Sequence, residues 1–405
     1  MTSVAYAGLW IFVFAVPWER LVVLPGLSIV TRVTGALALG LTLLAIVVYG
    51  RVRRWRVFHT AAFLFVLWTG FAVWMIEMPG IPQKYYTFVQ LFLVLWMIWE
   101  LAVSQKRQRG LLAAYVLGCC VPALATIMLY VRQGGALKRF SAGGADANSL
   151  GMTLALAVPI AWYLSLTTQH PLRRWMYRAY LPLGMFATVL TGSRGAMIAL
   201  MVALLIIPVT LSLSPGRLAA AIGLLALTGA LLVAYVPEKI VERLSTTGAS
   251  VESLSLGGRF MLWRAGVNAF AHKPMMGYGV GGFKRAITPE LGDQALVAHN
   301  SFLSVLVEEG IVGLFLYLTM LLSVFFSVLR FPRLERRFGL VLMATLGVAM
   351  LPLTWEDQKA VWFIMAALIG MSSLQFVGAT VAVSPPPTRR AVPAGRVRVA
   401  AGPER

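Results

Sequence analysis

Apolar runs alternate with short charged breaks along the whole chain. A membrane-crossing helix needs about 17–25 apolar residues. Runs of that kind stand near 3–17, 31–50, 57–77, 85–103, 111–131, 149–167, 179–192, 196–213, 218–236, 311–329, 339–354 and 360–379. The pattern predicts an all-α polytopic membrane protein with about twelve transmembrane helices. The stretch 179–213 is read as two helices hinged at Gly192-Ser193-Arg194-Gly195 rather than one long helix. Residues 237–298 form the one long polar segment between crossings and are expected to make a large extramembrane loop domain. Within it, Phe260, Trp263, Val267 and Phe270 recur at spacings of three and four, which predicts an amphipathic helix from Arg259 to Ala271.

Orientation follows from the basic residues, because Lys and Arg collect in short cytoplasmic loops. Arg51, Arg53, Arg54 and Arg56, then Lys106, Arg107 and Arg109, then Arg173, Arg174 and Arg178, then Arg217, then Arg330, Arg333, Arg336 and Arg337 fall in alternate breaks. That side is read as cytoplasmic, with both termini on it. The hinge near Arg194 is what keeps the 330–337 break on this side. The expected organisation is helices 1–9 over 1–236, the outer loop domain over 237–298, helices 10–12 over 299–384, and a Pro-rich, basic, disordered cytoplasmic tail over 385–405.

Composition sharpens this reading. Of 405 residues, 59% are apolar and 12% charged, against about half and a quarter in a soluble domain. A soluble enzyme, a disordered chain and a disulfide scaffold are therefore excluded. The formal charge of +20 would suggest nucleic acid in a soluble chain. Here the cytoplasmic loops and anionic membrane lipids account for it, and no nucleic-acid partner is expected. Cys119 and Cys120 are the only cysteines and imply neither a disulfide framework nor a zinc site. The Met1–Trp18 run lacks a basic n-region and a small-residue cleavage site, and is read as a retained first helix.

Candidate chemistry lies on the outer side. The 237–298 segment carries seven basic residues against five acidic ones, contrary to the usual bias. An anionic ligand would explain it, and so would the tolerance of long loops for charge. Arg194 is more pointed: a guanidinium between apolar helices is costly. Its neighbours Gly192, Ser193 and Gly195 allow a tight turn whose N–H groups, at a helix start, suit a phosphate. A snorkelling arginine is the plainer alternative. His299, between the arginine-rich loop and the next helix, titrates near neutral pH and can accept a hydroxyl proton. Gly277-Tyr278-Gly279-Val280-Gly281-Gly282 matches G-x-G-x-x-G literally, but no strand precedes it, and it is read as a tight loop rather than a dinucleotide site. No D-x-D pair or histidine-carboxylate cluster suggests a dedicated metal site, and no cofactor is expected.

Several of these residues fall into a known pattern. They are Thr191-Gly192-Ser193-Arg194-Gly195-Ala196, Gly258-Arg259 with Trp263, and Lys273-Pro274 followed by Gly277-Tyr278-Gly279. His299-Asn300-Ser301-Phe302-Leu303 then leads into Glu308-Glu309-Gly310-Ile311-Val312-Gly313. Together they resemble the signature of the bacterial O-antigen ligase and polymerase superfamily. Arg139-Phe140 and Asp146-Ala147-Asn148 resemble that family's extracytoplasmic loop before a helix.

The resemblance implies an inner-membrane glycosyltransferase acting at the periplasmic face. It would move a glycan from undecaprenyl diphosphate to a hydroxyl of the lipid A core, without metal and with inversion at the anomeric carbon. His299 would be the base, and Arg194 and Arg259 would hold the diphosphate, with Arg264 a candidate that sequence does not separate from Arg259. Asn300 or Asp146 would orient His299, and Ser193 would support the Arg194 turn. The rival readings are an O-antigen polymerase or protein O-oligosaccharyltransferase of the same superfamily and, from a different class, a lipid-linked glycan flippase. An Arg-x10-Gly pattern from Arg132 to Gly143 fits polymerases, but a chain this rich in Arg and Gly yields such matches by chance.

Overall fold

The computed structural model describes residues 2–19, 30–76, 82–134, 136–137, 139–211 and 255–381, with a few isolated positions between 216 and 240. All regular structure among these residues is helical. Five helices precede the first interhelical segment of the site: α1 (Thr2–Ala15), α2 (Val30–Tyr49), α3 (Val57–Met75), α4 (Gln83–Leu101) and α5 (Gln105–Gln133). Then follow α6 (Ala147–Thr167), α7 (Pro171–Leu190), α8 (Arg194–Leu204) and α9 (Ile206–Thr210). The remainder is α10 (Ser255–His272), α11 (Phe283–Leu291), α12 (Ser301–Leu329), α13 (Arg333–Met350) and α14 (Lys359–Val381).

Among the described residues, α2, α3, α5, α6 and α12 are long and apolar enough to cross a membrane, while α1, α8 with α9, and 359–374 are shorter apolar helices. The helix expected near 218–236, most of 237–254 and the tail from 385 lie outside the described residues.

Most of α6 is buried, and it packs against α5, α7, α8 and α13. Small side chains bring the backbones close: a Cβ at Gly151 would stand 2.6 Å from the Ala196 Cβ, so α6 and α8 meet where neither has bulk. The first half of α14, with Trp362 and Phe363, is likewise fully enclosed.

Several boundaries differ from the sequence expectation for one reason. Lys106, Arg107 and Arg109 belong to the start of α5, Arg173 and Arg174 to the start of α7, and Arg333, Arg336 and Arg337 to the start of α13. These basic residues extend helices into what hydropathy reads as loops, because long cationic side chains carry their charge outward while the backbone stays helical. Pro171, at the first position of α7, suits that start. The 179–213 stretch is broken where expected, with α7 ending at Leu190 and α8 opening at Arg194 across Gly192 at φ 58°.

The run expected from Ile311 extends back to Ser301, interrupted at Gly310. There φ is 68°, and a Cβ would come 2.1 Å from the Met275 carbonyl oxygen, so only glycine is accommodated. The N–H of Ile311 donates instead to the Pro274 carbonyl at 2.8 Å, which docks the glycine-rich turn onto the break. Trp68 Nε1 donates to the Glu309 carbonyl beside it at 2.8 Å.

Candidate active site

Three helices begin at one end of the bundle, and each opens with a side-chain cap. Asp146 accepts the Ser149 N–H at the start of α6, Ser193 accepts the Ala196 N–H at α8, and Asn300 accepts the Leu303 N–H at α12. These caps satisfy donors that the first turn otherwise leaves open. The segment 351–358 ties the three starts together. Ser301 Oγ donates to the Leu353 carbonyl and accepts the Trp355 N–H, both at 2.8 Å, while Trp355 Nε1 donates to Ser149 Oγ at 3.0 Å. A Cβ at Gly195 would lie 3.2 Å from Pro352 and 2.9 Å from Met152, which fixes the opening of α8 against the same segment and α6. Three positive helix ends therefore converge on one place, a setting that favours an anion.

His299 stands at this convergence. It is the only described non-glycine residue with positive φ, at 47°, a conformation that side-chain-bearing residues adopt at a cost and that concentrates at functional positions. Its N–H donates to Thr354 Oγ1 at 3.0 Å, and Trp263 Nε1 on α10 donates to the adjacent Ala298 carbonyl at 2.8 Å. Arg259 lies one turn before Trp263 and shares its face. Burial and the Arg259 guanidinium push the His299 imidazole below its ordinary pKa of 6.5, and Asp146 opposes them. The ring is therefore neutral at neutral pH, the form that can take up a proton.

The family comparison bears on the same residues. The O-antigen ligase family matches residues 179–318, which carry Arg194, Arg259, Arg264, His299 and Asn300. That similarity supports membership of the O-antigen ligase superfamily. No curated protein matches it.

The sequence-predicted residues separate into distinct groups. Arg259 and Asp146 both act electrostatically on His299, and Arg194 opens the neighbouring helix, half-buried. Arg264 is exposed on a different face of α10 from Arg259, five positions on. Asp146, Ser193 and Asn300 each spend a side-chain oxygen on a helix cap. Asn300 and Ser193 thus hold the backbone on either side of the site, and Asp146 reaches His299 through its field.

Sequence reasoning gave no role at the site to three contributors, although Arg139 and Glu308 stand in the motifs it singled out. Arg139 donates to the Thr191 carbonyl at 3.0 Å and to Asn148 Oδ1 at 2.6 Å, joining the segment before α6 to the end of α7. Thr354 carries the His299 backbone. Beneath them lies a buried ionic cluster: Lys84 Nζ contacts Glu308 Oε2 at 2.8 Å and Glu356 Oε1 at 2.5 Å, and Ser304 Oγ donates to Glu356 Oε1 at 2.7 Å. The charged break Trp355-Glu356-Asp357-Gln358-Lys359 between two apolar runs was the available signal. Among the described residues, no group of three His, Cys, Asp or Glu side chains is arranged to hold a metal ion.

Proposed function

We propose that this protein is an O-antigen ligase, transferring a glycan from undecaprenyl diphosphate to a hydroxyl of the lipid A core at the periplasmic face of the inner membrane. The observation that carries the reading is the place of His299, in the left-handed conformation where three helix N-termini converge and within the electrostatic reach of Arg259 and Asp146. The acceptor oxygen forms its bond to the anomeric carbon as the bond to the diphosphate breaks, with inversion. The acceptor proton passes to His299. The departing undecaprenyl diphosphate keeps its negative charge, which Arg194, Arg259 and the helix ends receive. Since diphosphate is already a good leaving group, holding its charge suffices, and the proposed transfer is independent of metal.

Exposed Phe260, Met261, Leu296 and Val297 stand next in sequence to these groups and offer apolar surface for a lipid-linked donor. In this reading the chain crosses the membrane about twelve times, with residues 237–298 outside and both termini in the cytoplasm.

The test is reconstitution of the full chain with a lipid-diphosphate glycan and purified core acceptor. Glycan joined to core, undiminished by chelator, supports the ligase. Chain extension of the lipid-linked glycan in place of core transfer identifies a polymerase, and glycan translocation without either product identifies a flippase.

A further inference from the structure

At the end of the bundle remote from His299 lies a cavity of about 1140 Å³ between the starts of α1, α5 and α7 and the end of α6. The 21 residues of α6 put roughly 30 Å between this cavity and Asp146 at 1.5 Å per residue. Its wall carries Lys106, Arg107, Arg109 and Arg173 and not one carboxylate. Ordinary helix electrostatics disfavours that placement. Lys106, Arg107 and Arg109 crowd the first turns of α5, and Arg173 the first turn of α7, so four cations add to two positive helix ends.

None of these cations makes an ion pair among the described residues. Arg107 donates to the Leu101 carbonyl at 2.9 Å and lies over the Tyr6 ring at 5.1 Å. Arg109 and Glu335 both interact with Tyr163 and line one small cavity with it, so the Arg109 charge alone is partly met.

The wall also carries the neutral polar residues Ser3, Ser104, Gln105, Thr167 and Thr168 and the imidazole of His170, while Trp10, Leu117, Leu164 and Met176 supply its apolar part. Trp175, 67% exposed, and Leu172, 63% exposed, flank Arg173 on the first turns of α7. That mixture of Trp, Leu and Arg is what a helix presents at a lipid headgroup layer. The cavity volume exceeds the roughly 300–1,000 Å³ of ordinary small-molecule pockets, and a free phosphate would leave the apolar wall unfilled.

We infer that this cavity binds an anionic glycerophospholipid, with its headgroup phosphate on Lys106, Arg107 and Arg173 and an acyl chain along Trp10, Leu117 and Leu164. Basic pockets between membrane helices hold such headgroups. The site is separate from the His299 centre and stands or falls independently of the glycan-transfer reading.

The test uses the full chain, delipidated in nonionic detergent, with lipid retention read by native mass spectrometry and thermal unfolding. Phosphatidylglycerol is expected to be retained and to stabilise, whereas phosphatidylcholine with the same chains and inorganic phosphate are not. R107Q/R173Q should lose about 10–30-fold in phosphatidylglycerol affinity, at about fivefold for each cation. The control R333Q/R336Q removes the same charge from exposed positions on α13, outside the cavity, and should lose little. Should the double variant fail to fold, K106Q, at an exposed position, reads the same site with about a fivefold drop. Equal retention of the two lipids, equal protection by phosphate alone, or an equal loss in R333Q/R336Q would overturn the inference.

Discussion

Glu308 Oε2 accepts the backbone N–H of Gly281 at 2.7 Å while the same oxygen faces Lys84 Nζ at 2.8 Å. One carboxylate thereby joins the glycine-rich turn, the first half of α12 and the start of α4. The backbone runs parallel to it: the Tyr278 N–H donates to the Val307 carbonyl at 3.0 Å and the Gly279 N–H to the Glu308 carbonyl at 2.8 Å. The glycine motif that imitates a dinucleotide loop is a docking strap, with glycine at 277 because a Cβ there would meet the Glu308 carbonyl oxygen at 2.6 Å.

This arrangement predicts unequal costs for its two partners. Lys84→Met leaves Glu308 and Glu356 facing each other, buried and without their cation. It should destabilise the protein by about 3–5 kcal/mol, the usual result of removing one member of a buried pair. Glu308→Gln keeps an oxygen for Gly281 and leaves Lys84 its contact with Glu356, so it should cost about 1.5–3 kcal/mol. Thermal unfolding in detergent decides the order, and a Glu308→Gln protein less stable than Lys84→Met would contradict it.

The pH dependence of transfer follows from the charges around His299. If neutral His299 is the base, the rate rises as pH climbs through its pKa, which lies below 6.5. Arg259 lowers that pKa, so Arg259→Gln should move the acid limb to higher pH. Asp146 raises it, so Asp146→Asn should move the limb to lower pH. Rates at saturating donor, measured from pH 4.5 to 8 (a range set by the ordinary His pKa of about 6.5), test the pair, and shifts in the same direction would remove His299 from the role.

The two halves of the proposed reaction also separate kinetically. His299→Ala should lower the chemical step by about 10²–10⁴-fold with donor affinity nearly intact. Arg194→Ala and Arg259→Ala should weaken donor binding as well as the rate, and lysine should rescue each only in part because it lacks the planar fork. Arg264→Ala, on the exposed face of α10, should change neither by more than about twofold, as expected for a solvated charge. Single-turnover rates and donor affinities in one membrane mimetic provide the comparison.

Orientation is open to direct labelling. Tags at Arg54, Arg336 and the C-terminus should report from the cytoplasm, and a tag between 245 and 255 from the opposite side. The structure already gathers several basic breaks at one end: Arg53 and Arg56 bond to Ser373 and Ser372 on α14, and Arg109 lies near Glu335 on α13. An external signal from Arg336 would invert that end and the proposed reaction face with it.

Local features of this protein were readable in order along the chain. Helical character, the break at Gly192 and the capping types Ser193, Asp146 and Asn300 depend on a few adjacent residues, because apolar spacing and cap hydrogen bonds act within one or two turns. The charge of Arg194 and Arg259 and the basicity of the His299 ring are legible for the same reason, since they belong to the side-chain type itself, whereas the roles proposed for them rest on arrangement. Which groups act together was decided only by packing. Arg259 and Arg264 differ in sequence by five positions but in space by a helix face, and only the hydrogen bond from Trp263 to the Ala298 carbonyl shows which face meets His299. Lys84 meets Glu308 and Glu356 across 224 and 272 residues of chain. No periodicity encodes such a contact, because it exists only where α4, α12 and the 351–358 segment close on one another, away from water, and the buried charges must find partners.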